Sequence, residues 1–343
     1  MDPVVRSPDA TIQLERELES HRRALTGYCY RMLGSGSEAE DAVQEAMVRA
    51  WRAADRLQAR EALKSWLFRI ASNVCFDILS SAQRRAQPMD LGPSGTAADQ
   101  LGAGLAEHGW VLPISDTRVL SPSEDPAALA EDRETLRLAF VAALQHLPPR
   151  QRAVLILREV LRWQAGEVAE LLDTSVASVN SALQRARATL GDLDLQAGHV
   201  GEVDAEQQEL LARYVEAFER YDIPSLVTLL KEDAAFSMPP FPLWVQGPEE
   251  IGRFMLGPGI HCQGSRVVPV AANGGPAVAI YHPAGEGRYE PWAIVIVETS
   301  DGRITGLHHF LYPELFAAFG LEPVLHDPAG LVAVQDAGQP DQR

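Results

Sequence analysis

Residues 163–187 read Trp163-Gln-Ala-Gly-Glu-Val-Ala-Glu-Leu-Leu-Asp-Thr-Ser-Val-Ala-Ser-Val-Asn-Ser-Ala-Leu-Gln-Arg-Ala-Arg187. The spacing predicts two short helices joined by a tight turn. The first keeps Val168, Leu171 and Leu172 on one face, with Ala169 small enough to admit a second helix. Asp173 stands where the chain must turn sharply, and Asp tolerates the left-handed backbone such turns need. Thr174 or Ser175 then caps the second helix, which buries Val176, Val179, Leu183 and Ala186 at three- and four-residue spacing. Its other face carries Ser178, Ser181, Gln184 and Arg185, with Asn180 at the edge and Arg187 beyond. An apolar back with a hydrogen-bonding front suits a helix that enters a DNA major groove. An ordinary helical hairpin with a solvated face has the same pattern.

The chain has 343 residues and a net charge of −17, which at first argues against a DNA-binding role. Its distribution changes that reading. Residues 201–343 hold 8 Lys/Arg against 20 Asp/Glu, and residues 86–132 hold one Arg against eight acids. The two N-terminal folded segments are left slightly positive, so the acidity does not exclude nucleic acid. Cys29, Cys75 and Cys262 lie far apart, outside any CxxC or CxH pair, and give neither a zinc site nor a disulfide framework. The length implies two or three domains, and the lack of a signal peptide or long apolar run implies a soluble cytoplasmic chain with no membrane partner.

Working outward, residues 14–85 are expected to be helical throughout. Ser37 and Glu40 form a candidate capping box for a helix running to about Ala54, with Ala39, Val43, Ala46 and Ala50 inward. Its outer side bears an acidic stripe, Glu38, Asp41 and Glu45. A second helix, 63–82, buries Leu63, Leu67, Ile70, Val74 and Ile78, and presents Arg69, Asn73 and Phe76, followed by Arg84 and Arg85. That mixture suits single-stranded nucleic acid, and equally a solvated face beside a half-buried Phe. Residues 86–132 read as an acidic flexible linker, and 133–191 as a helical block ending in the hairpin. Residues 204–322 mix helices with β-prone runs at 234–238, 265–272, 276–282, 289–299 and 303–311, which reads as helices segregated from a curved antiparallel sheet, an α+β domain. Residues 323–343 read as a frayed tail. The fold class is thus multidomain: two all-α domains followed by an α+β domain.

The order of these segments resembles the extracytoplasmic-function sigma factors of bacterial RNA polymerase. Glu38-Ala-Glu-Asp-Ala-Val-Gln-Glu45 is similar to the family's clamp-binding helix. Ser65-Trp-Leu-Phe-Arg-Ile-Ala-Ser-Asn-Val-Cys-Phe-Asp-Ile-Leu79 is similar to its −10 recognition helix. Leu147-Pro-Pro-Arg-Gln-Arg-Ala-Val-Leu-Ile-Leu-Arg-Glu159 with the hairpin is similar to the domain that reads the −35 element. Asp173 departs from the glycine common in the family, but suits the same turn. Trp244-Val-Gln-Gly247 and Asp301-Gly-Arg-Ile304 resemble pieces of the SnoaL-like, nuclear-transport-factor-like cone.

The resemblance implies partners: core polymerase, through its β′ clamp and β flap, and promoter DNA. Glu38, Asp41, Gln44 and Glu45 would face the polymerase. Arg69, Asn73, Phe76, Arg84 and Arg85 would meet the −10 element, and Ser178, Asn180, Ser181, Gln184, Arg185 and Arg187 the −35 element. It implies no catalysis, cofactor or metal. The acidic linker could occupy an RNA channel by charge mimicry, or serve as a plain tether. The C-terminal domain would regulate by packing on the sigma domains, its acidity competing with DNA phosphate. Trp244, His261, Tyr281, Trp292, His308 and Phe310 are candidates to line a pocket for a small-molecule ligand, or are simply core. Strand alternation puts His308 and Phe310 on one face and His309 on the other. A one-component helix-turn-helix regulator with a sensing domain explains the last two blocks, but not the acidic stripe of the first. An enzyme reading rests on the cone fold alone, with no acid/base pair at a defined spacing.

Overall fold

A computed structural model of the chain describes residues 8–56, 62–80, 85–120, 126–191, 205–285 and 287–327. The N-terminal unit has four helices: α1 (Pro8–Ser20), α2 (Arg22–Leu33), α3 (Gly36–Ala53) and α4 (Leu63–Leu79). The cap of α3 is Ser35 rather than the expected Ser37. The buried Ser35 hydroxyl accepts from Glu38 N at 3.4 Å, which satisfies a first-turn donor and starts the helix two residues early. Ala39, Val43, Ala46 and Ala50 are fully buried, as their spacing requires, and α2 and α4 close over them. Cys29 and Cys75 are core residues of this unit.

Residues 85–120 correct the expectation of a flexible linker. They form an ordered strap with two single-turn helices, α5 (Pro88–Leu91) and α6 (Asp116–Val119). Trp110, Val111, Leu112 and Ile114 are buried in one core with both helical units. Its backbone finds partners far along the chain: Leu112 N donates to Gly34 O at 2.9 Å, and the Tyr30 hydroxyl donates to Leu112 O at 2.9 Å. A run of adjacent apolar residues held this way has no helical or strand period, so its Pro, Gly and acid content dominates a sequence reading.

The second helical unit contains α7 (Pro126–Glu134), α8 (Leu138–Leu144), α9 (Pro149–Leu155), α10 (Ala165–Leu171) and α11 (Val176–Leu190). Pro149 occupies the first turn of α9, where its missing N–H costs nothing. Asp173 adopts the left-handed backbone (φ 51°), and Ser175 caps α11 by accepting from Ser178 N at 3.1 Å. Val179, Leu183 and Ala186 are buried. Val176 is exposed, contrary to expectation, because it opens the first turn of α11.

The C-terminal domain begins with α12 (Ala205–Glu219) and α13 (Ile223–Val227). The strands are β1 (Leu230–Ser237), β2 (Trp244–Gln246), β3 (Arg266–Ala272), β4 (Gly275–Pro283), β5 (Arg288–Ser300), β6 (Arg303–Phe310) and β7 (Leu325–His326). Helix α14 (Pro248–Leu256) lies between β2 and β3, and α15 (Leu315–Ala318) follows β6. The strand order is β2-β1-β6-β5-β4-β3, with β7 on β5. The sheet is mixed rather than antiparallel, because β1 and β6 run parallel. β7 falls within residues expected to be a frayed tail, the rest of which, 328–343, lie outside the described residues.

The sheet serves two cores. Val278 and Ile280 of β4, and Ala293, Val295 and Val297 of β5, face the domain's own helices. Ala277, Ala279 and Tyr281, with Ile294 and Ile296, belong to the core shared with the strap and the two helical units. Side chains alternate across a strand, so one run of apolar residues fills both layers.

Candidate functional site

On α11 the residues read as DNA-facing are all exposed: Ser178, Asn180, Ser181, Gln184, Arg185 and Arg187. Two of them have partners within the chain. The Ser178 hydroxyl lies 2.9 Å from that of Ser175, and Arg187 pairs with Glu159 at 2.9 Å. On α4, Arg69 and Asn73 are exposed one turn apart, while Phe76 is half-buried against the core. Arg84 lies outside the described residues.

Arg85 corrects the reading of a phosphate contact. Its side chain is 6% exposed, donates to Trp110 O at 2.7 Å, and pairs with Glu38. The two residues assigned by resemblance to DNA and to polymerase therefore bind each other. Glu40 pairs with Arg118 of the strap at 3.2 Å, and Glu45 with Arg49 at 2.7 Å. Asp41, Gln44 and Glu45 remain exposed on the outer face of α3, continued by the exposed apolar side chains of Val48 and Trp51.

The helical units touch directly. Arg31 of α2 is buried and donates to the Thr135 hydroxyl at 2.6 Å and to Thr135 O at 3.1 Å. Arg152 of α9 donates to Gln145 Oε1 at 2.6 Å and to Met32 O. Phe68 of α4 meets Trp163, ahead of α10, with ring centroids 5.1 Å apart.

The β3–β4 hairpin joins the C-terminal domain to all of these. Asn273 and Gly274 both take left-handed backbone (φ 53° and 76°), the geometry of a two-residue Asn-Gly turn. The Asn273 amide is buried and fully used. Nδ2 donates to the Tyr30 hydroxyl at 2.6 Å and to Leu136 O at 2.9 Å, and Oδ1 accepts from Ile114 N at 3.1 Å. Gly274 N donates to Asp116 Oδ1 at 2.8 Å. Burial pushes the Asp116 carboxyl up to about 6, against the opposing pull of that N–H and of Arg133.

The six candidate pocket residues do not share a pocket. Tyr281 is buried on the shared-core face, stacked edge-on with Phe316 and donating to Glu322 O at 2.9 Å. Trp292 lies on the opposite face, stacked on His282 at 4.0 Å, and His261 is exposed. Trp244 donates to Gly92 O of the strap at 2.9 Å. A register shift after Ile280 in the β4–β5 pairing separates Tyr281 from Trp292. His308 and Phe310 line a cavity of about 10 Å³ with Ser237, Pro239, Gln87 and Leu138, close to the space one water needs. The His308 ring is buried between the Ser237 hydroxyl at 2.8 Å and Glu298 at 3.4 Å. Burial pushes Glu298 up, but the His308 imidazole and Arg137 outweigh it and hold the carboxyl below its usual range. Sequence reasoning missed Asn273, although the Asn-Gly dipeptide between apolar runs is a strong hairpin signal.

A capped helix with an exposed polar row, an acidic helix face and a fused α+β domain define a multidomain protein with the features expected of a DNA reader. Comparison with known proteins makes the class specific. The sigma-70 region 2 family matches residues 18–85, sigma-70 region 4 residues 137–190, and the SnoaL-like domain family residues 211–307. The ECF RNA polymerase sigma factor SigG of Mycobacterium tuberculosis is 42% identical over 308 residues, covering 88% of this chain and 82% of that protein. SigJ of the same organism is 27% identical over 328 residues, covering 92% and 96%. The crystal structure of M. tuberculosis SigJ matches with a TM-score of 0.58 at 24% identity, covering 90% of this chain and all of that one, and shows the same fold. The chain belongs to the extracytoplasmic-function (ECF) sigma factors of RNA polymerase.

Proposed function

We propose that this sigma factor docks on the β′ clamp of core polymerase through Asp41, Gln44 and Glu45, with its second helical unit on the β flap. Arg69 and Asn73 read the −10 element, and Ser181, Gln184 and Arg185 the −35 element. The exposed polar row on α11, backed by buried Val179, Leu183 and Ala186, carries this reading. The chemistry belongs to the polymerase, so the chain itself is no enzyme, and it works in the cytoplasm. Residues 14–85, 133–191 and 204–322 are its functional domains, with 86–132 as the segment that connects the first two. No described helix is long and apolar enough to cross a membrane.

The C-terminal domain regulates by holding the sigma domains closed. The two promoter elements lie about 25 base pairs apart, about 85 Å along the duplex. With α4 and the α10–α11 hairpin in contact at Phe68 and Trp163, their recognition faces lie within about 40 Å, judged by helix lengths. The closed chain reaches one element at a time and must open to span both. The DNA-facing residues are exposed in the closed form, which does not support competition with phosphate. Run-off transcription with full-length protein and core polymerase tests the assignment. Combined Gln184→Ala and Arg185→Ala should abolish dependence on the −35 sequence, and retention of that dependence would move the readout elsewhere.

A further inference from the structure

Helix α11 carries one side chain that neither the core nor the polar row uses. Val176 opens the helix and is 46% exposed. Among the described residues it is the one large apolar side chain so exposed in the second helical unit. Val179, Leu183 and Ala186 already supply the buried face of α11. Helix formation does not favour Val176 either, because a β-branched residue is a poorer helix former than alanine.

The neighbours of Val176 belong to the polar face. Val176, Asn180 and Gln184 stand at four-residue intervals, all exposed, and form one row along α11. Ala177, also exposed, begins the adjoining row with Ser181 and Arg185. From Val176 to Gln184 the row is about 12 Å long at 1.5 Å per residue, a span of about three to four base-pair steps. The cap fixes the backbone at its leading end, since Ser175 Oγ accepts from Ser178 N at 3.1 Å. A helical valine has one strongly preferred rotamer, so Val176 is a rigid apolar projection at the head of a polar row.

In a major groove the base edges are polar except for one group, the C5-methyl of thymine. A valine offers no hydrogen bond to a guanine, adenine or cytosine edge, and packing against one would leave its polar atoms unpaired. Contact with a methyl group is what its surface can supply. We infer that Val176 is a specificity residue of this sigma factor: it packs on the C5-methyl of a thymine in the −35 element, within about four base pairs of the base that Gln184 reads. The inference rests on the proposed −35 role of α11 and extends it to a base for which no polar residue accounts.

The test selects sequences from a promoter library randomised at the −35 element, using holoenzyme assembled from full-length protein and core polymerase. Wild type should enrich a thymine that Val176→Ala no longer enriches. Replacing that thymine by deoxyuridine removes the methyl alone, and should weaken wild-type binding about fourfold, the worth of one buried methyl group. Val176→Ala should bind the two promoters equally, with its helical content in circular dichroism unchanged. Failure of Val176→Ala to lose a thymine, or loss of one whose methyl the wild type ignores, overturns the inference. Gln184→Ala in the same selection separates the two levels. If both variants leave the −35 profile intact, α11 does not read this element and the inference falls with that reading. If only Gln184→Ala alters the profile, the polar readout stands and the valine contact is wrong.

Discussion

The Asn273 amide donates to the Tyr30 hydroxyl at 2.6 Å, joining residues 243 positions apart in the chain. Tyr30 belongs to the helix beneath the acidic stripe, and Asn273 to the turn of a C-terminal hairpin. The bond is buried on both sides, so neither group can exchange it for water without separating the domains.

Gly274→Ala should break this docking. The position has positive φ (76°), and an added Cβ would collide with the backbone carbonyl of Arg133. Strain and steric conflict together should cost about 2–4 kcal/mol. The expected result in small-angle scattering is a larger radius of gyration with unchanged helical content in circular dichroism. Unaltered compactness would contradict the role assigned to the hairpin.

Arg85→Ala should destabilise the protein by about 2–4 kcal/mol, because it strands the Trp110 carbonyl and the Glu38 carboxylate in a covered site. The salt dependence of promoter binding should stay the same, since this cation does not meet phosphate. Thermal melts and a salt titration of binding distinguish this from a DNA contact, whose loss would flatten the slope by about one ion.

Asp116 gives a pH signature with a defined sign. Its folded pKa is raised to about 6, above the ordinary carboxylate value, so the folded state holds the proton more tightly than the unfolded chain. Its contribution is therefore most favourable at acid pH, and declines as pH rises from about 4 to about 6. Asp116→Asn keeps an acceptor for Gly274 N without the charge. It should raise the melting temperature at pH 7.5 and have little effect at pH 4.5. An equal effect at both values would remove the buried charge as the cause.

Gln184→Ala should cost about 1–3 kcal/mol of discrimination between the cognate −35 element and a single-base variant. Arg187→Ala should change discrimination less, because Glu159 already holds that guanidinium. Competition binding with the two duplexes checks both. Equal losses would place Arg187 among the base-reading residues.

Periodic segments were legible in the sequence. The inward rows on α3 and, Val176 apart, on α11 follow from spacing alone, as does the exposure of Gln184 and Arg185. The strap was not, because Trp110, Val111, Leu112 and Ile114 are held by groups remote in sequence, and short-range pattern carries no trace of them. Arg85 shows the same limit in electrostatics. A cation beside an acidic stripe and a DNA-facing helix has two plausible partners, and only the fold brings Glu38 to it. For the pocket candidates, parity placed His308 and Phe310 together, but the register shift beside Tyr281 and the cover on that sheet face depend on neighbouring strands and domains.

The sheet that fills two cores also sets an order of events during synthesis. Trp110 leaves the ribosome about 200 residues before Phe310, an interval of about 10–40 s at ordinary elongation rates. Through that interval the nascent helical units exist without the apolar sheet face that later completes their core. The core shared by the helical units and the sheet can therefore close only after the last strands are made.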